Sequence, residues 1–236
     1  MLTKGPSLDQ EAAASPTERQ SRQLRRTHAP ANIRWNAPSR ARTVASMNEW
    51  TGLLNVVDVE ATCWAGDPPA GQTNEIIEIG VTVVDLATRT RVGKHGIIVR
   101  PTRSTVSEFC TELTTLTQEQ VDQGVEFGEA CRLLGSEFAA GARPWASWGD
   151  YDRKQFRTQC AATGVEYPFG PEHTNAKQVF AESYDLRRRP GMDHALRIAD
   201  IPLEGTHHRG DDDAWNIGAL VVDVLGRGGW RVTTVD

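Results

Sequence analysis

Apolar and polar positions follow two periods along this chain, and each change of period marks an element. Residues 53–60, Leu-Leu-Asn-Val-Val-Asp-Val-Glu, form a short β-rich run with too many apolar positions for an exposed edge, and predict a central strand. Residues 75–86, from Glu75 to Leu86, predict a second strand. Residues 85–91 read as a turn into a third strand over 92–99, stopped by Pro101. Three strands on short links predict an antiparallel meander. Thr117 and Gln120 have the spacing of a capping box opening a short helix. Phe127, Ala130, Leu133, Leu134 and Phe138 recur at helical spacing over 127–140, with Gly141 as the stop. A short fourth strand over 145–148 precedes a helix over 152–162 that ends at Gly164. Further helices are predicted over 177–182, 192–198 and 212–225. Strands first, then strand and helix in alternation, predict a mixed α/β sheet with helices on its faces.

Composition changes this picture mainly at the ends. Residues 1–48 mix Ser, Pro, Ala, Gln and Arg without apolar periodicity, and read as a disordered basic tail. The competing reading is a basic arm that touches nucleic acid, and Met47 is an alternative start of translation. The folded domain is expected over 49–228, with a short C-terminal tail over 229–236. The whole chain of 236 residues carries −5, but residues 1–48 hold eight basic against three acidic residues, a net of +5 that leaves the body at −10. A protein that holds duplex by broad phosphate neutralisation is usually basic. This body is acidic, so contact with nucleic acid must be local and divalent cations must offset part of the carboxylate charge. No run of roughly 18 apolar residues exists to span a membrane. The N-terminus lacks the apolar core of a secretory signal, so a cytoplasmic location is expected. Cys63, Cys110, Cys131 and Cys160 are scattered, which argues against a zinc knuckle or a disulfide framework.

Three groups of acids stand out. Asp58 and Glu60 are two apart on the central strand and emerge on one face, where two carboxylates repel and are costly to desolvate. A hard divalent cation between them resolves the conflict. Asp150 and Asp152 lie where strand, turn and helix start meet, and either also suits a helix cap. Asp211, Asp212 and Asp213 open the last long helix, which its dipole favours, but three acids exceed what capping needs. His208 stands in H-x-x-x-x-D spacing to Asp213, an imidazole beside a carboxylate that suits a general base.

In this order the groups carry a family resemblance. Residues 56–64 (VVDVEATCW), 74–80 (NEIIEIG), 107–114 (SEFCTELT), 147–156 (SWGDYDRKQF) and 208–217 (HRGDDDAWNI) resemble the DEDDh exonucleases of the ribonuclease H-like superfamily. The likeness extends over about residues 52–226, and is strongest to the branch of histone-mRNA and small-interfering-RNA exoribonucleases and sporulation-inhibitor-like proteins. It implies an α/β ribonuclease H-like mixed five-stranded sheet, an antiparallel meander followed by parallel strands, with helices on both faces. It implies that Asp58, Glu60, Asp152 and Asp213 bind two divalent cations, Mg²⁺ or Mn²⁺, and that His208 is the base. Within it, Asp152 rather than Asp150 has Phe156 four positions on, and His208 rather than His207 has the required distance to Asp213. Asp150 is then expected to be exposed or capping.

The implied activity is 3′→5′ exonucleolytic release of nucleoside 5′-monophosphates from single-stranded 3′ ends, with RNA favoured and no obligate protein partner. Ala61, Thr62, Cys63 and Trp64 follow the ligand pair and are expected to hold the terminal nucleotide. Arg187, Arg188, Arg189 and Arg209 are expected to grip the backbone. The competing readings are a DNA-directed, proofreading-like exonuclease and a catalytically silent nucleic-acid-binding module on the same fold.

Overall fold

The computed structural model describes residues 52–230. The expected tail over 1–48, Met47 included, lies outside the described residues. Five strands form one sheet: β1 (Leu53–Ala61), β2 (Ile76–Asp85), β3 (Thr90–Ile98), β4 (Trp145–Ser147) and β5 (His173–Asn175). Their order is β3-β2-β1-β4-β5. β1 pairs antiparallel with β2, and β2 with β3; β1 and β4, and β4 and β5, pair parallel. The mixed α/β sheet is therefore the one expected, with β1 at its centre. The three-residue β5 has no apolar pattern of its own, and neighbouring β4 supplies its reason to be a strand.

Alternation along β1 serves two cores. Val57 and Val59 face one side, where they pack with α3 (Phe127–Phe138) and α4 (Tyr151–Thr163) through Ala130, Leu134, Phe156 and Cys160. Leu54 and Val56 face the other, against α5 (Ala176–Ser183), α6 (Met192–Ala199) and α7 (Gly210–Gly226). Asp58 and Glu60 continue the phase of Leu54 and Val56, so they emerge beneath the start of α7. A third, smaller cluster joins Ile77 to Cys110 of α1 (Glu108–Thr114) and Val121 of α2 (Gln118–Asp122).

The ends of the helices differ in instructive ways from their sequence signals. The capping box at α2 forms as expected, Thr117 and Gln120 each accepting from the other's backbone N–H. α3 stops at Phe138 rather than at Ala140, because Ala139 takes the left-handed conformation at φ 49° and Asn55 donates to the freed Phe138 carbonyl at 2.9 Å. A tertiary contact from β1 thus replaces the glycine stop. α4 does end at Gly164, in the left-handed conformation with its N–H on the Cys160 carbonyl. At the C-terminus, Trp230 packs against the second core, so part of the expected tail over 229–236 is covered apolar surface. Residues 231–236 lie outside the described residues.

Candidate active site

Three elements deliver the acids to one place. β1 supplies Asp58 and Glu60 at its C-terminal end, α4 supplies Asp152 from its first turn, and α7 supplies Asp213 from its first turn. Oxygen atoms of Asp58, Glu60 and Asp213 lie within 4.8 Å of one another. Asp152 arrives from the other side of β1. β4 pairs with β1 only at Asn55 and Val56, so farther along that edge the Val59 N–H has no strand to meet. Asp152 Oδ1 accepts that N–H at 3.0 Å. The early departure of β4 therefore opens a backbone position, and the carboxylate closes it.

The electrostatics match a cation site. Burial first, then the charges of Asp152, Glu60, Asp213 and Glu78, hold the Asp58 carboxyl well above the usual carboxylate range. Burial, then Asp213, Glu78 and Asp152, push Glu60 up to about 8, with Arg209 opposing. Asp152 reaches only about 6: burial raises it, but the N–H of Val59, its own N–H and the Ser147 hydroxyl favour the ionised form. Burial also raises Asp213, opposed by His207 and by the His208 N–H. Only burial and neighbouring charge perturb Asp58, with no hydrogen bond to its carboxylate among those causes. A largely buried, all-oxygen donor set with unbalanced negative charge fits a hard divalent cation.

The two histidines divide their roles differently from the linear spacing. His207 makes the side-chain contact to Asp213, with Nδ1 at 2.9 and 3.1 Å from the two carboxylate oxygens. His208 gives Asp213 its backbone N–H at 3.1 Å, from a left-handed conformation at φ 63°. The imidazoles stack, centroids 3.9 Å apart and 16° between planes. Burial, and then His207, lower the pKa of His208, which keeps it neutral near pH 7. The spacing could not separate the backbone contact from the side-chain one.

The residues expected around the acids fare unevenly. Ala61 and Thr62 are buried. Thr62 is occupied by residues 73–75: its N–H donates to the Glu75 carbonyl, its hydroxyl bonds both the Thr73 carbonyl and the Glu75 N–H, and its carbonyl accepts from Asn74. Its part is to fix the strand end, and its side chain is not open to a nucleotide. Cys63 and Trp64 are half-buried, with the Cys63 carbonyl held by Ser107 at 2.6 Å. Arg187, Arg188 and Arg189 are exposed, and their loop is tied to the C-terminal end of β4 by Trp148 Nε1 on the Pro190 carbonyl. Arg209 points inward instead, making a bidentate pair with Glu78 at 2.7 and 3.0 Å. That geometry takes it out of the set of free phosphate contacts. Asp150 is neither a side-chain cap nor free, since it binds Arg153 and Asn175. Asp211 and Asp212 pair with Lys94, and Asp212 accepts the Thr206 N–H, so these acids tie down neighbouring segments.

Three residues escaped the linear reading. Tyr151 precedes Asp152 and is 54% exposed. Desolvation, then the charges of Asp152, Glu60, Cys63 and Asp58, push its pKa to about 12, so it stands near the carboxylates. Phe109 is also exposed, next to Cys110, which packs against Cys63. Glu78 is the other case: a buried acid opposite Glu60 in the β1–β2 register, holding both Arg209 and the Gly210 N–H. Its carboxylate in the interior of an otherwise apolar strand was the available signal.

Residues 56–221 match the exonuclease family (RNase_T). The chain belongs to that family. It is 29% identical over 183 residues to 3′-5′ exoribonuclease 1 of Homo sapiens, across 72% of this chain and 51% of the relative, and so spans about half that relative's length. Its fold superposes on the nuclease domain of 3′hExo, a DEDDh family member solved bound to rAMP, with a TM-score of 0.71 and 27% identity over 77% of this chain and 96% of the other. A 3′-exonuclease solved in 3′-end specific recognition of histone mRNA stem-loop superposes with a TM-score of 0.67 and 25% identity, over 78% of this chain and 91% of the other. Exonucleases of the DEDDh type are metal-dependent, and the donor set described above suits that requirement. Among the described residues no helix is long and apolar enough to cross a membrane.

Proposed function

We propose that this protein is a metal-dependent 3′→5′ exonuclease that releases nucleoside 5′-monophosphates from single-stranded RNA ends. The observation that carries the reading is the convergence of Asp58, Glu60 and Asp213 within 4.8 Å, with Asp152 beside them and His208 in the turn that leads into the helix of Asp213. These four carboxylates would hold two divalent cations, Mg²⁺ or Mn²⁺. Cations so held supply charge stabilisation to an in-line displacement at phosphorus and acidify water. The chain's own groups do the rest. An imidazole nitrogen of His208, neutral near pH 7, takes the proton of the attacking water, a contribution of about 10²–10⁴-fold. Tyr151 and Trp64 offer aromatic faces to the terminal base. Cys63, anchored by Ser107, orders the backbone beneath it. Arg187, Arg188 and Arg189 contact the phosphates that follow. RNA is favoured by the exoribonuclease and rAMP-bound relatives. The free thiols suit a reducing, cytoplasmic setting.

The test is incubation of purified protein with 3′- and 5′-labelled RNA and DNA oligonucleotides, in Mn²⁺ or in EDTA, with Asp58→Ala beside it. Stepwise shortening from the 3′ end of RNA, abolished by EDTA and by the substitution, is expected. Shortening of DNA alone would reassign the substrate, and no metal-dependent shortening would overturn the proposal.

A further inference from the structure

The carboxylate cluster is not the only set of metal donors on the start of α7. His207, His208 and Asp213 each offer a ligand atom, and these atoms lie within 4.8 Å of one another. His207 Nδ1 is 2.9 and 3.1 Å from the Asp213 oxygens. Ligand atoms of a tetrahedral zinc site, with metal–ligand distances near 2.1 Å, stand about 3.4 Å apart, close to this spacing, and an ion between these groups requires one imidazole to turn out of the 3.9 Å stack so that both ring lone pairs point at it. The side chain of His207 is partly exposed, which leaves an entry path and room for a water as fourth ligand.

The two donor sets differ in chemistry. Asp58, Glu60 and Asp213 present oxygen only, the preference of Mg²⁺ and Mn²⁺. His207, His208 and Asp213 present two imidazoles and a carboxylate, the preference of Zn²⁺ and its neighbours in the transition series. Asp213 belongs to both sets and cannot serve both fully. Imidazole coordination also uses the nitrogen lone pair that a general base needs.

We propose that His207, His208 and Asp213 form a second, nitrogen-rich metal site, selective for Zn²⁺-like ions, whose occupation inhibits the enzyme. The inhibitory half of this rests on the function proposed above; the binding half does not. Zn²⁺ would withdraw His208 from proton transfer and Asp213 from the carboxylate cluster in one event. His207 is the residue that creates the site; it otherwise hydrogen-bonds Asp213 and stacks on His208.

Two measurements test it. Co²⁺ added to the metal-free protein should give the visible d–d bands of a tetrahedral nitrogen-containing site, and Zn²⁺ should displace them. Both signals should be lost in His207→Gln and in His207→Ala, but survive in Asp58→Asn. Zn²⁺ titrated into the Mg²⁺-supported nuclease assay should inhibit the unsubstituted protein at concentrations about tenfold or more below those that inhibit His207→Gln, each curve being read against that variant's own Mg²⁺ rate. Bands that persist in both His207 variants, or that vanish in Asp58→Asn instead, would place the ion in the carboxylate cluster and overturn the proposal. Equal Zn²⁺ sensitivity of the two proteins would overturn the inhibitory half. Tetrahedral Co²⁺ bands in a protein without nuclease activity would leave the binding half standing while the proposed function failed.

Discussion

Arg209 shows what a single residue's surroundings decide. In sequence it is one more cation beside the proposed general base, His208. In the fold its guanidinium is paired at two points with Glu78, which also accepts the Gly210 N–H. The pair fixes the turn that carries His208 and Asp213, and Arg209 partly offsets the charge crowding on Glu60. Replacing Arg209 by Ala should therefore lower kcat by about ten- to a hundredfold with little change in KM for an oligonucleotide, an effect of the size seen when partners of metal-site ligands are lost. Added guanidinium should restore part of the rate, and Arg209→Lys less of it, because an ammonium cannot make the bidentate pair. A raised KM with unchanged kcat would return Arg209 to phosphate binding. His208→Ala should lower kcat by about 10²–10⁴-fold. Because its contact with Asp213 is through the backbone, calorimetric Mn²⁺ affinity should stay near that of the unsubstituted protein. The identities of Asp58, Glu60, Asp152 and Asp213 were legible from order and spacing. The partner of Arg209 was not, since it lies 131 positions away, and six-residue spacing alone did not show that His207, not His208, makes the side-chain contact to Asp213.

Among elements, the crossing of α7 over β2 controls the geometry. A Cβ built on Gly80 would stand 1.8 Å from the Gly210 carbonyl oxygen. Only the bare backbone lets the first turn of α7 sit low enough to bring Asp213 to Asp58 and Glu60. Gly80→Ala should force the helix away, costing about 1–3 kcal/mol as an overpacked contact does, which a lower Tm would report. Mn²⁺ affinity should fall with it, whereas an unchanged Tm and affinity would mean that the crossing relaxes freely. The loop between α5 and α6 carries its prediction through charge alone. Neutralising Arg187, Arg188 and Arg189 together should weaken oligonucleotide binding across sequences and flatten its salt dependence by up to about three in slope, less for a single strand. Affinity unchanged at low and high salt would remove the loop from the interface. Most element types were legible because the apolar periods of β1, β2, α3 and α7 are clear. The end of α3 was not, since Asn55 of β1 decides it.

For the whole molecule, an acidic body builds a site that is unfavourable until cations arrive. The Glu60 carboxyl is raised from 4.5 to about 8, and Asp152 from 3.8 to about 6. Groups raised in the folded state stabilise it when protonated, and that stability is lost as pH climbs through the folded value. In EDTA, Tm should accordingly fall between about pH 5 and pH 8. The Tm increment from Mn²⁺ should grow over the same range, because binding requires the ionised carboxylates. An EDTA-treated protein whose Tm is flat or rises across that window would contradict the arrangement. The sequence by itself determined the strand order of the meander, the main helices and the four acids with their histidine. Local period encodes the elements, because each depends on residues within a few positions; the acids and the histidine, spread from Asp58 to Asp213, were assigned through the family resemblance that their ordered blocks carry. Tertiary structure alone decided that β4 leaves β1 early enough for Asp152 to take the Val59 N–H, and that Gly80 and Gly210 meet. It also decided that the two histidines share Asp213 by different atoms. Those outcomes depend on which distant backbone groups are left to be satisfied once the sheet has formed.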